Sequence, residues 1–189
     1  TSEHGARAVA ELLDEAFGHR GARPVGRQAL EAAIDPAPAG LTIGVSHDGG
    51  TRATLLGLKA AQEAGQKTAL ITANDAGSAR DGADSMLLTP VLDKSWCHTV
   101  AYISAIAAGA AIAGAITGKG VDAGALRQHL DECRALKAQA AEVARGLRGI
   151  ERLIVVGGGY DRITADELVL KVEEGLHLPS AARDLETFL

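Results

Sequence analysis

A short apolar run, followed at once by a glycine-rich turn and an amphipathic helix, is the feature that most restricts how this chain can fold. Leu41–Val45 is short and contains β-branched residues, which is typical of a buried strand. From Arg52 to Ala64 apolar residues recur at steps of three, which predicts a helix. Residues 46–51, Ser-His-Asp-Gly-Gly-Thr, form the turn between them. Its free backbone N–H groups and the helix dipole suit an anion such as phosphate, although an ordinary capped turn explains the pattern equally well.

The strand-then-helix pattern recurs along the chain. Further strands are predicted at 22–25, 68–72, 85–89 and 152–156, and further helices at 2–16, 95–117, 123–148 and 163–175. Such alternation predicts an α/β fold with a parallel sheet. Because the pattern restarts after Gly149, we expect a first domain over 1–120, a linking helix over 121–149 and the start of a second domain over 150–189.

Composition narrows the function classes. The chain of 189 residues is 47% hydrophobic but only 3% aromatic, so its core must consist of Ala, Leu, Val and Ile. The net charge of −5, without a basic run, argues against nucleic acid and anionic membranes as partners. Two cysteines, Cys97 and Cys133, provide neither a disulfide framework nor metal-ligand spacing. The apolar stretch 101–116 is shorter than the roughly 20 residues of a membrane span. We therefore expect a cytoplasmic protein without a bound metal.

Several ordered segments resemble the SIS (sugar isomerase) domain family. Residues 46–54, with the helix and strand after them, resemble its Ser-x-Ser-Gly-x-Thr turn. Residues 94–99, Lys-Ser-Trp-Cys-His-Thr, resemble its second active-site segment, and Thr1-Ser2 resembles the end of its Gly-Thr-Ser loop, without the preceding strand. Residues 155–159 and 165–174 resemble the second domain of tandem SIS enzymes, such as the isomerase half of glucosamine-6-phosphate synthase.

The resemblance implies a flavodoxin-like, three-layer αβα sandwich with a parallel sheet. It also implies a small-molecule sugar phosphate as ligand, a homodimer, and no cofactor. The residues that would hold the phosphate are Ser46, His47, Thr51 and Ser2, with Thr1 beside it. The residues that would line the sugar are Ser95, Trp96 and His98.

Asp48 is a departure from the family pattern, because it stands where the family has its second serine. A carboxylate about 4 Å from a phosphate dianion costs several kcal/mol in a site of moderate dielectric. Asp48 therefore turns away, caps the helix, or marks a site that holds no phosphate. We expect a rotated Asp48 with phosphate still bound.

Glu167, Lys171 and Glu174 are spaced i, i+4 and i+7, which places them on one face of the last long helix. Aldose–ketose isomerisation needs a carboxylate at a carbon-bound proton and an acid at the carbonyl oxygen. In the resemblance, Glu174 occupies the place of the proton-abstracting glutamate, with Glu167 and Lys171 in support. The alternative is a solvated helix face carrying a Glu–Lys pair.

Three functions remain open from the sequence. The first is an isomerase or deaminase-type enzyme acting through an enediol on a sugar phosphate or amino-sugar phosphate. The second is a phosphosugar sensor without turnover, and the third is a fragment without a competent site. The turn Gly157-Gly158-Gly159 does not predict dinucleotide binding, because a GxGxxG motif requires glycine where Arg162 stands.

Overall fold

A computed structural model describes residues 1–21, 23–75 and 77–188; Ala22, Ala76 and Leu189, which belong to a predicted strand, a turn and the C-terminus, lie outside the described residues. The helices are α1 Ser2–Ala16, α2 Ala29–Ile34, α3 Arg52–Glu63, α4 Ser78–Asp81, α5 Thr99–Thr117, α6 Ala123–Ala135, α7 Lys137–Gly146, α8 Tyr160–Leu176 and α9 Leu185–Phe188. The strands are β1 Leu41–Val45, β2 Lys67–Thr72, β3 Ser85–Leu88, β4 Leu153–Gly157 and β5 Ser180–Asp184.

The first sheet is parallel and has the order β1-β2-β3. Its register places Val45 beside Ile71 and Thr72 beside Leu88, so the three strands end at the same edge. This confirms the predicted parallel pairing of 41–45 with 68–72. The carboxyl edge of this sheet is where ligands bind in open α/β folds.

Helices cover both faces of this sheet. Neighbouring residues of β2 point to opposite faces, and each face carries an apolar side chain that packs against helices. On one face Ile71 packs with Val9 of α1 and Ala108 of α5. On the other face Leu70 packs with Leu58 of α3 and with Ala79. The predicted three-layer αβα sandwich is therefore confirmed.

Small residues bring α1 and α5 into close contact. A Cβ atom on Gly109 would lie 2.9 Å from Val9 Cγ2, and one on Gly5 would lie 2.9 Å from the Ala105 Cβ. By length and composition α5 could cross a membrane: its mean hydropathy is 1.8, and 22% of that stretch is buried. One such helix is weak evidence for a membrane span.

The second unit contains β4 and β5, which pair in parallel, and α8, which packs on both strands and on α1. The single helix predicted over 123–148 is two helices, since the chain turns at Leu136. All residues of α6 and α7 are exposed. The sequence analysis missed β5, and its predicted strand over 22–25 is wrong for the described residues 23–25, which form no regular structure.

Candidate functional site

A small cleft opens at the carboxyl edge of the first sheet, between the start of α1 and α5. Its polar lining consists of Ser2, His47, Thr72, Thr89 and Ser104. Ser2 and His47 were predicted as binding residues, whereas the other three were not. Position along the chain could have identified two of them from the sequence, because Thr72 ends β2 and Thr89 directly follows β3.

The turn between β1 and α3 gathers its polar groups around one carboxylate oxygen. Asp48 Oδ1 accepts from the backbone N–H of Gly50 at 3.0 Å, and it lies 3.1 Å from Ser46 Oγ and 3.2 Å from Thr51 Oγ1. The two hydroxyl oxygens lie 3.0 Å from each other, and Ser46 is only 1% exposed. Ser46, Thr51 and the Gly50 N–H therefore converge on the carboxylate of Asp48. Ser2, which was expected to join them at a phosphate, lines the cleft, whereas Ser46 and Thr51 do not.

The turn is fixed to the end of β2. His47 O accepts from the backbone N–H of Ala73 at 2.9 Å and from Thr72 Oγ1 at 3.2 Å. Gly49 has φ +70°, and a Cβ there would lie 2.5 Å from the Ala79 Cβ. Only glycine fits this approach without displacement of its neighbours.

Asp48 points towards the donors of the turn, not away from them as expected. Burial by itself would raise the pKa of this carboxyl group. The hydrogen bonds from Gly50, Ser46 and Thr51 outweigh burial and leave the pKa below its usual value of 3.8. Asp48 is therefore an anion at neutral pH, and it uses donors that were predicted to hold a phosphate.

His47 connects this turn with the segment before α5. Its Nε2 accepts from the backbone N–H of Asp93 at 2.5 Å, so in this geometry Nε2 carries no proton. The ring of His98 lies 5.9 Å from that of His47, centroid to centroid, at an angle of 59°. Two of the predicted binding segments are thereby brought together.

The remaining residues of the second segment lie further from the cleft lining. The backbone N–H of Ser95 donates to Asp93 Oδ1 at 2.8 Å, and Trp96 is 81% exposed. Neither residue lines the described cleft. Cys97 Sγ approaches Gly175 of α8, since a Cβ at Gly175 would lie 3.6 Å from it. The segment therefore runs past the C-terminal part of α8, next to Glu174.

The three predicted catalytic residues form one cluster with the start of the chain. Lys171 Nζ donates to Glu174 Oε2 at 2.7 Å and to Thr1 Oγ1 at 2.6 Å, and it lies 3.4 Å from Glu167 Oε1. The lysine and Glu167 are largely buried, whereas the Glu174 side chain is 35% exposed. The three residues therefore form a largely buried cluster of ion pairs, and not the solvated helix face that their spacing also allowed.

His4 belongs to this cluster and was missed by the sequence analysis. Its Nδ1 lies 2.7 Å from Glu167 Oε2, and both side chains are largely shielded from water. Burial pushes the pKa of Glu167 upward, but the bond to His4 and the positive charge of Lys171 outweigh it and lower that pKa. The sequence signal that could have identified His4 is its position three residues after Thr1, which places these two residues on one helical face.

The cluster and the cleft meet at the N-terminus of α1. Ser2 lines the cleft, and the adjacent Thr1 contacts Lys171. Among the described hydrogen bonds, none joins Ser2 to Ser46 or Thr51. The site therefore has two parts, a hydroxyl-rich turn at the first sheet and a carboxylate–lysine cluster on α8.

Comparison with known proteins shows similarity in fold. No family model matches the chain, and no curated protein matches its sequence. Glucosamine-6-phosphate deaminase of Thermotoga maritima has a TM-score of 0.79 at 17% identity, over 98% of this chain and 59% of that one. Tagatose-6-phosphate ketose/aldose isomerase of Escherichia coli has a TM-score of 0.76 at 19% identity, over 97% and 55%.

A third solved structure gives the same result. The C-terminal domain of glucosamine-fructose-6-phosphate aminotransferase from Francisella tularensis has a TM-score of 0.75 at 17% identity, over 97% of this chain and 56% of that one. This chain thus spans less than two thirds of the length of these structures. The SIS fold expected from the sequence is confirmed.

Proposed function

We propose that this protein binds a sugar phosphate or a related sugar derivative at the carboxyl edge of the first sheet and is an aldose–ketose isomerase or a deaminase-type enzyme. The observation that carries the proposal is the pair of contacts of Lys171 with Glu174 and Thr1, next to the cleft-lining Ser2. The named neighbours support the substrate class, because a deaminase, an aminotransferase domain and an isomerase of hexose phosphates share this fold.

The chemistry assigned to the cluster is the transfer of one proton between neighbouring carbons. Glu174 is the most exposed member, and its carboxylate would take the proton from the carbon beside the carbonyl group. An enediol forms as the carbonyl oxygen gains a proton. The first proton then returns to the former carbonyl carbon while the hydroxyl group on the other carbon loses its proton, which completes the isomerisation. Lys171, whose Nζ lies 2.7 Å from Glu174 Oε2, would stabilise the negative charge that develops on the carbonyl oxygen.

Glu167 has a supporting role in this proposal. Its side chain is buried, and it lies between His4 and Lys171, at 2.7 Å and 3.4 Å. A buried carboxylate so placed fixes the lysine ammonium group and balances its charge. It would therefore position Lys171 and leave proton abstraction to Glu174.

The proposed binding roles fall to the turn after β1, to the start of α1 and to the segment before α5. Ser46, Thr51 and Ser2 would hold the end of the sugar that carries the phosphate. Ser95, Trp96 and His98 remain proposed contacts to the sugar itself. Since Trp96 is 81% exposed, its ring is available as a stacking surface for a ligand.

The proposal extends to the domain division and the assembly of the protein. The division into 1–120, 121–149 and 150–189 follows the two sheets and the exposed helices between them. A homodimer would cover the apolar side chains exposed on α6 and α7 and at their ends, which are Leu126, Leu130, Leu136, Val143 and Leu147. The cytoplasm is the proposed location.

Titration calorimetry of the protein with sugars and their phosphates tests this function. The panel contains glucosamine 6-phosphate, fructose 6-phosphate and tagatose 6-phosphate, each with its unphosphorylated sugar. Thr51→Ala should weaken sugar-phosphate binding by about 1–3 kcal/mol, the range for a hydrogen bond to a charged group. Thr117→Ala, at the far end of α5, is the matched control and should change nothing.

The same titrations separate enzyme from sensor when they are combined with a turnover assay. Glu174→Gln should bind the sugar as the wild type does but lose proton transfer. Binding without turnover in the wild type would favour the sensor. Absence of binding by the wild type to every member of the panel would refute the proposed function.

A further inference from the structure

Asp48 places a negative charge of the protein itself inside the turn that would hold a phosphate. One of its oxygens lies within 3.0–3.2 Å of the Gly50 N–H, the Ser46 hydroxyl and the Thr51 hydroxyl. These groups are two of the three proposed phosphate-binding hydroxyls and the backbone donor between them. These three donors are therefore satisfied without a ligand.

A phosphate dianion cannot share this arrangement. It needs the same three donors, and a carboxylate at hydrogen-bond distance from them repels it. The Ser46 hydroxyl has one proton to donate, so it cannot serve both acceptors at once. A phosphate must therefore displace the Asp48 side chain before it occupies the turn.

An uncharged sugar end meets no such competition. Sugar hydroxyls donate hydrogen bonds, and a carboxylate offers about four acceptor positions on its two oxygens. Asp48 can keep its bonds within the turn through Oδ1 and accept from a ligand hydroxyl through its other oxygen. The backbone of the turn does not have to move for this contact.

Building on the proposed sugar-binding function, we infer that Asp48 is a specificity-determining residue of this turn. Its carboxylate competes with a ligand phosphate for Ser46, Thr51 and Gly50. The protein consequently discriminates little between a sugar phosphate and the unphosphorylated sugar. A neutral residue at this position would restore a strong preference for the phosphorylated form.

Binding of inorganic phosphate tests the inference without requiring any enzymatic activity. The dissociation constant is measured by calorimetry for the wild type, Asp48→Ser and Asp48→Asn. Asp48→Ser, which removes the competing anion and frees the donors, should bind phosphate roughly tenfold or more tightly than the wild type. Asp48→Asn should gain less, because its amide oxygen still accepts within the turn although the charge is gone.

Asp84→Asn is the matched control. Asp84 also accepts from a backbone N–H and a hydroxyl, both of Thr68, but at the opposite edge of the sheet, and it carries the same charge. Its substitution should leave phosphate binding unchanged. If Asp84→Asn improves binding as much as Asp48→Ser does, net charge explains the effect and the inference is wrong.

The inference is also overturned if Asp48→Ser binds phosphate no more tightly than the wild type, including the case in which neither binds. Asp48→Asn keeps the size of the side chain and decides the question if Asp48→Ser does not fold. For the sugars, the preference for glucosamine 6-phosphate over glucosamine should be below about tenfold in the wild type and should rise at least tenfold in Asp48→Ser. Failure of the wild type to bind any sugar would refute the proposed function, whereas an unchanged preference in Asp48→Ser would refute the role of Asp48.

Discussion

Asp93 holds the start of α5, and its replacement tests whether one carboxylate organises the segment before that helix. Its oxygens accept from the backbone N–H groups of Ser95 and Val100 at 2.8 Å and of Ala101 at 3.4 Å. The side chain of His98, the residue directly before the helix, makes no capping hydrogen bond. Asp93 therefore supplies the cap from further back in the chain.

The lowered pKa of Asp93 gives the size of its contribution to the stability of the fold. Hydrogen bonds from the Ser95 side chain and backbone, with further help from Val100 and Ala101, outweigh burial and lower the pKa from 3.8 to about 2. A group with a depressed folded-state pKa stabilises the fold above its unfolded pKa, and this contribution is lost as the pH falls through the folded pKa. The full difference corresponds to about 2.5 kcal/mol, which screening by nearby water reduces to about 1–2 kcal/mol.

Urea denaturation at pH 7 and pH 3 measures this contribution. Asp93→Ala should lower the free energy of unfolding at pH 7 by about 2–3 kcal/mol, and Asp93→Asn by about 1–2 kcal/mol. At pH 3 the difference in free energy of unfolding between the wild type and Asp93→Asn should be about half its value at pH 7. The stabilisation by the Asp93 carboxylate is lost between about pH 4 and pH 2.

Asp122 provides the control, because it caps the exposed helix α6 through Gly124 and Ala125. Asp122→Ala should cost only about 0.5–1 kcal/mol. If Asp93→Ala lies within about 0.5 kcal/mol of the wild type, or if its effect does not depend on pH, the proposed capping role is wrong.

Two further substitutions probe the two parts of the site. Gly49→Ala should lower the free energy of unfolding by about 2–4 kcal/mol, because φ is +70° and the new Cβ would meet Ala79. Gly50→Ala, which has open space around it, should lower it by less than about 1 kcal/mol. Equal losses in the two variants would contradict the close approach at Gly49. His4→Ala should raise the pKa of Glu167, followed by NMR of its carboxyl carbon, and should lower stability at pH 7 by an amount that shrinks as the pH falls below 4.5. An unshifted titration of Glu167 would show that His4 does not interact with it.

The sequence predicted the first sheet because its elements are encoded locally. β1, the glycine turn and α3 have strong patterns of their own, and the structure has them within a residue of the predicted bounds. Helical spacing, which does not depend on the rest of the fold, predicted that Glu167, Lys171 and Glu174 share one face of α8, and the family resemblance supplied their catalytic role. Features of this kind can be read from a single sequence.

The missed features depend on partners that are distant in sequence. Residues 180–184, Ser-Ala-Ala-Arg-Asp, have no strand pattern and become β5 only by pairing with β4. His4 acquires its role from Glu167, which follows 163 residues later. The orientation of Asp48 depends on two hydroxyls and a backbone donor whose positions were not known in advance. Periodicity carries no information on such contacts.

Solvent deuterium exchange directly measures proton transfer by the cluster on α8. The protein is incubated in D₂O with fructose 6-phosphate, glucosamine 6-phosphate or the unphosphorylated sugars, and ¹H NMR follows the protons at C1 and C2. The account predicts exchange at these carbons by the wild type and none by Glu174→Gln, although calorimetry shows that the variant still binds the sugar. Exchange by Glu174→Gln at the rate of the wild type, or a wild type that binds a sugar without exchanging either proton, would contradict the assignment of the cluster on α8 as a proton-transfer centre.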